Sequence, residues 1–159
     1  EATQLSNLLS DVISLAYQDS AMPTIMIPVP LHWRKLLMRG FNQSTNIASS
    51  LSRKFNNTVI LDNTCLRRAS SSPQHLKSRS ERLRGMRNAF RMRNNIDYEP
   101  DTKANRTNNP IRGKSVAIVD DVVTSGATAG SLASTLIKAG AKHVDIWCIA
   151  RTGWHIMSD

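Results

Sequence analysis

The stretch VAIVDDVVTSGAT, from Val116 to Thr128, is the most informative part of this 159-residue chain. Four apolar residues lead into two adjacent aspartates, Asp120 and Asp121, and a series of small and hydroxyl residues follows. Two carboxylates side by side at the end of a buried segment repel each other and lose hydration. The pair therefore predicts a ligand that makes use of both groups.

The segments around this stretch alternate between strand and helix patterns. We predict strands at 24–30, 58–61, 65–69, 115–119 and 143–150, and helices at 5–18, 43–55 and 127–139. A less regular basic helix is predicted at 78–88, a polar exposed loop at about 94–110, and a plain connection at 32–43. Such alternation is typical of one α/β domain with a mostly parallel sheet. We expect that domain to include residues 1–159.

Ligands of parallel α/β sheets bind at the carboxyl ends of the strands. If the strand ends at Val119, Asp120 and Asp121 lie at that edge. The loop that follows begins a helix, whose free N–H groups and partial positive charge suit a phosphate, and Gly126 allows close approach. Carboxylates suit vicinal sugar hydroxyls or a Mg²⁺ ion shared with phosphates. The pattern predicts a sugar-phosphate site, and the alternative is an ordinary turn in which an aspartate caps the helix.

The same string resembles the signature of type I phosphoribosyltransferases that binds 5-phosphoribosyl-1-pyrophosphate (PRPP). The resemblance implies a three-layer α/β fold in which helices flank the central sheet and a flexible hood covers the site. It implies that Asp120 and Asp121 bind the ribose hydroxyls and are possible ligands of the Mg²⁺ that accompanies PRPP. It also implies a site for the 5-phosphate formed by Thr124, Ser125, Gly126, Ala127 and Thr128.

Further motifs are similar to those of the ComF/GntX family, whose members are linked to DNA uptake or DNA use. They are PVPLHWRKLLMRGFNQS at 28–44, a basic stretch with Gln74 and Arg82, NAF at 88–90 and WCIART at 147–152. Members usually carry an N-terminal zinc-binding region, which we expect this chain to lack. Gly85 stands where members often have an asparagine, so the role of that asparagine is not carried over.

The loop after the strand at 24–30 is expected at the same sheet edge as the aspartates. We predict that it binds pyrophosphate together with a basic hood insertion at about 65–95, through Leu31, His32, Arg34, Arg39 and Arg82. Surface charge alone is the alternative for Arg34. Gly40, Asn42 and Gln43 are expected to shape and order the neighbouring loops.

Positive charge is concentrated in one segment. The chain has 21 Lys and Arg against 12 Asp and Glu, a net charge of +9. Residues 67–93 contain nine basic residues and one acidic residue, so this segment alone contributes +8. Such a segment predicts a polyanionic partner, either a phosphate compound or nucleic acid, and a solvated basic face is the alternative.

Hydropathy and cysteine content limit the classes of protein to which this chain can belong. No run of about 18 apolar residues is present, so we expect no membrane span. Cys65 and Cys148 are far apart and neither belongs to a CxxC pair, which argues against zinc and disulfides and favours the reducing cytoplasm. We expect Met38, Cys65 and Trp147 to be packing residues.

Two functions remain open from the sequence. The first is transfer of a phosphoribosyl group from Mg·PRPP to an acceptor that the sequence leaves undefined. The second is a non-catalytic module that senses PRPP or a nucleotide and binds single-stranded DNA or a DNA-uptake partner through its basic hood. Aromatic residues make up 5% of the chain, which leaves few platforms for stacking bases.

Overall fold

The computed structural model describes residues 2–31, 33–56, 58–62, 64–67, 89–92 and 109–152. The elements in these ranges are α1 (Ala2–Ala16), β1 (Ile25–Pro28), α2 (Trp33–Arg39), α3 (Gln43–Ser52), β2 (Val59–Ile60), β3 (Cys65–Arg67), β4 (Phe90–Met92), β5 (Ser115–Val123), α4 (Ala127–Lys138) and β6 (His143–Arg151). No helix among them combines the length and apolar character needed to cross a membrane.

The main sheet has four parallel strands in the order β2-β1-β5-β6. Its centre is the β1–β5 pair, in which Ile25 lies opposite Val116 and Pro28 lies opposite Val119. Strands β3 and β4 form a separate antiparallel pair. The parallel α/β sheet predicted from the sequence is therefore confirmed.

Helices cover both faces of this sheet because side chains alternate between its faces along β1 and β5. On one face, Ile27 and Ile118 belong to an apolar cluster with Leu132 of α4, and Phe90 of β4 joins it. On the other face, Ala117 lies in a second cluster, with residues of α1 and α3. The result is a helix–sheet–helix arrangement of three layers.

Helix α1 packs with only part of its apolar surface. Leu9 and Ile13 are buried, and Ser6 and Ser10 are buried beside them. The leucines and valine of the adjacent stripe are exposed, namely Leu5, Leu8, Val12 and Leu15. The apolar residues that predict this helix therefore divide between two faces instead of forming one.

Strand β5 is longer than the sequence predicts, and the expectation that it ends at Val119 is wrong. It continues to Val123 because β6 supplies partners beyond that point: Asp120 lies opposite Cys148 and Val123 lies opposite Arg151. On its other side, β1 ends opposite Val119. The aspartate pair thus lies in the last part of β5, which is paired with β6 but no longer with β1.

Residues 32–43 are more than the plain connection expected from the sequence, because α2 occupies part of them. Leu36, Leu37 and Met38 are exposed, so the part of the helix whose side chains are described shows no core-facing stripe. The prediction that Met38 packs is wrong, since 87% of its surface is exposed. Cys65 and Trp147 are buried as predicted.

Of the segments predicted between residues 65 and 110, the structure describes only residues 65–67, 89–92 and 109–110. The strand predicted at 65–69 is seen as β3, and β4 was not predicted. Asn109, expected in an exposed loop, is buried, and its side chain donates a hydrogen bond to the Ala139 carbonyl at 2.7 Å. The basic helix predicted at 78–88, Gln74, and most of the hood and the polar loop lie outside the described residues.

Candidate functional site

A cavity of about 280 Å³ opens at the carboxyl edge of β1 and β5. Asp120 and Asp121 line one part of it, and the residues that follow β1 (29–31) and the start of α3 line another. Arg39 of α2 and Arg67 of β3 supply positive charge to the same space. Two acids and two guanidinium groups therefore meet at one sheet edge.

Asp120 is held in place by two donors. The Ser44 hydroxyl donates to Oδ1 of Asp120 at 3.1 Å, and the backbone N–H of Asp121 donates to the same oxygen at 3.0 Å. Burial raises the pKa of the Asp120 carboxyl to about 6, and the charge of Asp121 adds to that rise. The hydrogen bond from Ser44 acts in the opposite direction and lowers this pKa.

Asp121 is held by its own strand, since the backbone N–H of Val122 donates to its Oδ1 at 2.8 Å. The bonds from Ser44 and from the backbone N–H groups of Asp121 and Val122 all go to Oδ1 atoms, and the side chains of the two aspartates also interact with each other. Both carboxylates line the larger cavity, where a ligand can reach them. No group of three or more His, Cys, Asp or Glu residues in the described ranges could enclose a metal ion.

The loop after β5 forms a second cavity of about 40 Å³, which shares Asp120 and Thr128 with the larger one. Thr124, Gly126 and Ala127 also line it. Gly126 has φ 73° at the start of α4, a conformation that glycine adopts most easily. The N-cap residue Gly126 makes no side-chain cap hydrogen bond, so the N–H groups of the first turn beyond Ala127 suit an anion. Ser125 lines neither cavity, and its Oγ accepts a hydrogen bond from the Ala127 N–H.

The segment Arg39–Ser44 connects α2, α3 and β1. Gly40 has φ 75°, and its N–H donates to the Leu36 carbonyl where α2 ends. Asn42 caps α3 by accepting from the Ser44 N–H at 3.2 Å, and its Nδ2 donates to the Val29 carbonyl at 3.0 Å. The Gln43 side chain accepts a hydrogen bond from Arg39 at 3.0 Å, which orients this guanidinium group at the cavity.

The structure brings together many of the residues that the sequence suggests for the site. Leu31, Arg39, Asn42, Gln43, Asp120, Asp121 and Thr128 all line the larger cavity. His32 and Arg82 lie outside the described residues. Only the backbone of Arg34 is described, within α2.

Sequence reasoning missed two residues at this cavity. The sequence indicates Arg67 only as part of a basic segment, yet this residue lines the cavity, and its guanidinium carbon lies 5.7 Å from the ring centroid of Phe90. Ser44 is the last residue of the motif at 28–44, and the sequence predicts no separate role for it. Its contact with Asp120 joins residues 76 positions apart, so no local pattern indicates it.

Comparison with known sequences gives two informative relatives, although no protein-family model matches the chain. The chain is 34% identical over 153 residues to the DNA utilization protein YhgH of Shigella flexneri, covering 95% of this chain and 60% of that protein. It is 28% identical over 156 residues to competence protein F of Haemophilus influenzae, covering 92% and 61%. The chain thus spans about 60% of the length of these curated relatives.

Comparison with solved structures identifies the fold. A purine phosphoribosyltransferase from Pyrococcus horikoshii superposes with a TM-score of 0.54 at 16% identity, over 98% of this chain and 75% of that one. The glutamine PRPP amidotransferase from B. subtilis gives 0.55 at 15% identity, over 93% and 26%. The predicted type I phosphoribosyltransferase fold is confirmed, and identities this low show the fold alone.

Proposed function

Because the chain is a relative of the DNA utilization and competence proteins of the ComF family and has the type I phosphoribosyltransferase fold, we propose that it binds PRPP. The proposed activity is transfer of the phosphoribosyl group to an acceptor. A link to the use of DNA is part of the proposal, through the names of the relatives.

One observation carries the proposal: Asp120 and Asp121 lie between an open helix start and two arginines. PRPP has the matching order of groups, with a 5-phosphate, two ribose hydroxyls and a pyrophosphate. We assign the 5-phosphate to the loop Thr124–Thr128 and the ribose hydroxyls to the carboxylates of the two aspartates. Arg39 and Arg67 are assigned to the pyrophosphate.

Magnesium fits this donor set. Mg²⁺ prefers oxygen ligands, and proteins often bind it through one or two carboxylates together with substrate phosphates. Asp120 and Asp121 supply the carboxylates, and the oxygens of PRPP and of water would complete the set. When bound, the ion offsets the negative charge of the pyrophosphate.

In the transfer reaction, the bond between ribose C1 and the pyrophosphate oxygen breaks, and that oxygen keeps the electron pair. A nucleophile of the acceptor forms the new bond to C1. Negative charge on the leaving pyrophosphate increases as the bond lengthens, so Arg39 and Arg67 stabilise the transition state more than the ground state. The aspartates hold the ribose and so orient C1.

The concentrated positive charge favours a second candidate function. Residues 67–93 contribute +8 to a net charge of +9, which suits a long polyanion such as single-stranded DNA. In this second function, the protein binds PRPP or a nucleotide as a signal and catalyses no transfer. Both versions are assigned to the cytoplasm, as is typical of free thiols such as Cys65 and Cys148.

Two measurements on the unmodified protein test these versions. Calorimetry with Mg·PRPP, ribose 5-phosphate and pyrophosphate should give saturable binding for all three ligands, with the intact molecule binding most tightly. A pyrophosphate-release assay with nucleobases and amines as acceptors then separates transfer from sensing. Failure of Mg·PRPP to bind would contradict both versions, and binding without release would favour the sensor.

A further inference from the structure

Four basic side chains lie at the amino-terminal edge of the main sheet, on the opposite side from the candidate site. Strands β5 and β6 begin at this edge, and α4 ends there. Because β5 has nine residues, about 26 Å separates this edge from the carboxyl edge. All four side chains are exposed, and we call them the amino-edge cluster: Arg112, Lys114, Lys138 and Lys142.

Backbone hydrogen bonds hold together the two loops that carry the cluster. The Gly113 N–H donates to the Gly140 carbonyl at 2.8 Å, and the Lys142 N–H donates to the Lys114 carbonyl at 2.9 Å. Lys114 and Lys142 thus precede adjacent parallel strands, which lie about 4.8 Å apart. Gly140 has φ 103°, and a Cβ atom there would lie 3.4 Å from the Cγ of Arg112. The fold therefore keeps the backbone positions of these cations close to one another.

The charge of the cluster is not offset within the part of the chain that the structure describes. There, none of the four side chains forms an ion pair or a hydrogen bond. Asp145, the acid of β6, is already engaged: its Oδ1 contacts Nε2 of His143 at 2.9 Å, and its Oδ2 accepts from the Tyr17 hydroxyl at 2.7 Å. Lys138 also interacts favourably with the carboxyl end of α4. The other three cations repel one another, so a bound anion would stabilise them.

We propose that the amino-edge cluster binds the phosphate backbone of a nucleic acid. Each nucleotide carries a phosphate, so one strand can neutralise several neighbouring cations and release their share of its counterions. Contact through phosphates needs no aromatic platform, which agrees with the aromatic content of 5%. The inference rests on the second candidate function, and it assigns a contact with the polyanion to a surface outside residues 67–93.

The test is the salt dependence of binding to a fluorescein-labelled single strand of about 20 thymidine nucleotides, followed by anisotropy between about 50 and about 200 mM NaCl. For single strands, the logarithm of the binding constant falls with the logarithm of the salt concentration with a slope of about −0.7 per phosphate contact. We expect Lys114→Gln and Lys142→Gln each to make the slope less negative by about 0.7, and the double variant by about 1.4. Arg91→Gln is the charge-matched control, because it removes an exposed cation from the basic segment 67–93. Its slope should change less than that of either lysine variant.

The outcomes separate this inference from the function on which it rests. A larger change of slope in the two lysine variants than in Arg91→Gln supports the inference. Wild-type slopes in both lysine variants would overturn it, and so would equal changes in all three single variants, which would mean that only net charge matters. In either case the second candidate function stands as long as wild type binds the strand. If wild type does not bind it, that function fails together with the inference. Urea unfolding of the lysine variants should match wild type, which excludes a loss of folding as the cause.

Discussion

The guanidinium carbon of Arg67 lies 5.7 Å from the centroid of the Phe90 ring, across the antiparallel pair formed by β3 and β4. Phe90 is buried in the core cluster that also contains Leu132 of α4. An exposed arginine is thereby held over an aromatic ring at the edge of the larger cavity. Because Phe90 is fixed in the core, its cation–π contact holds the Arg67 guanidinium group in place.

Arg67→Ala should weaken binding of Mg·PRPP and of pyrophosphate by about tenfold, the loss expected for one charge-assisted contact. Binding of ribose 5-phosphate should change by less than about twofold, since that ligand lacks the pyrophosphate. Arg91→Ala removes the same charge from an exposed position on the adjacent strand. Equal losses in the two variants would mean that Arg67 acts only through net charge.

Asp120→Asn should stabilise the unliganded protein at pH 8. The folded-state pKa of about 6 lies above the usual value, so folding favours the protonated carboxyl. That stabilisation is present below the unfolded pKa, near 4, and is lost as pH rises through 6. The substitution should raise the free energy of unfolding by about 1 kcal/mol at pH 8 and have almost no effect at pH 3.5. Urea unfolding at both pH values measures this difference, and an equal effect at both would contradict the assignment.

Asn42→Ala should lower the free energy of unfolding by about 2 kcal/mol, because it removes the cap of α3 and the bond to the Val29 carbonyl. Asn46→Ala, an exposed position on the same helix, is the control and should change stability by less than about 0.5 kcal/mol. Urea unfolding measures both. A loss in Asn42→Ala no larger than in the control would show that the cap contributes nothing.

Gly126→Ala should destabilise the protein by about 1 kcal/mol, because alanine is strained at φ 73°. Apart from Gly126 itself and its two chain neighbours, no atom lies within 4 Å of the position that the new methyl group would take, so the cost comes from the backbone. Gly130→Ala is the comparison variant. Gly130 lies inside α4, has no positive φ and has the same open space around an added methyl group. Alanine should therefore stabilise the protein there by about 0.5–1 kcal/mol. Thermal unfolding that moves both variants in the same direction would contradict this account.

The sequence predicts those parts of the fold that have strong local patterns. The apolar runs before Pro28 and Asp120 indicate buried strands, and the small-residue loop before α4 indicates an anion site at a helix start. Helix α2 shows no such pattern over residues 36–38, whose apolar side chains are exposed. Strand β4 has three residues, which is too short for a clear alternation, whereas β3, of the same length, lies within the strand predicted at 65–69.

The same distinction applies to the site. The aspartate pair is visible as neighbours in the chain, and RGFNQ is visible as a motif. Contacts such as Ser44 with Asp120, or Arg67 with Phe90, join distant segments. They depend on the packing of whole elements, so a single sequence read along its length does not reveal them.

The central claim is that Asp120 and Asp121 bind the ribose of PRPP. Its most direct test is calorimetric titration of Mg·PRPP into wild type, Asp120→Asn/Asp121→Asn and the charge-matched control Asp11→Asn/Asp19→Asn, whose side chains are exposed on and just after α1. We predict that the first double variant loses at least about 100-fold in affinity, as expected for two charge-assisted contacts, and that the control binds like wild type. Equal affinity in all three proteins would contradict the claim.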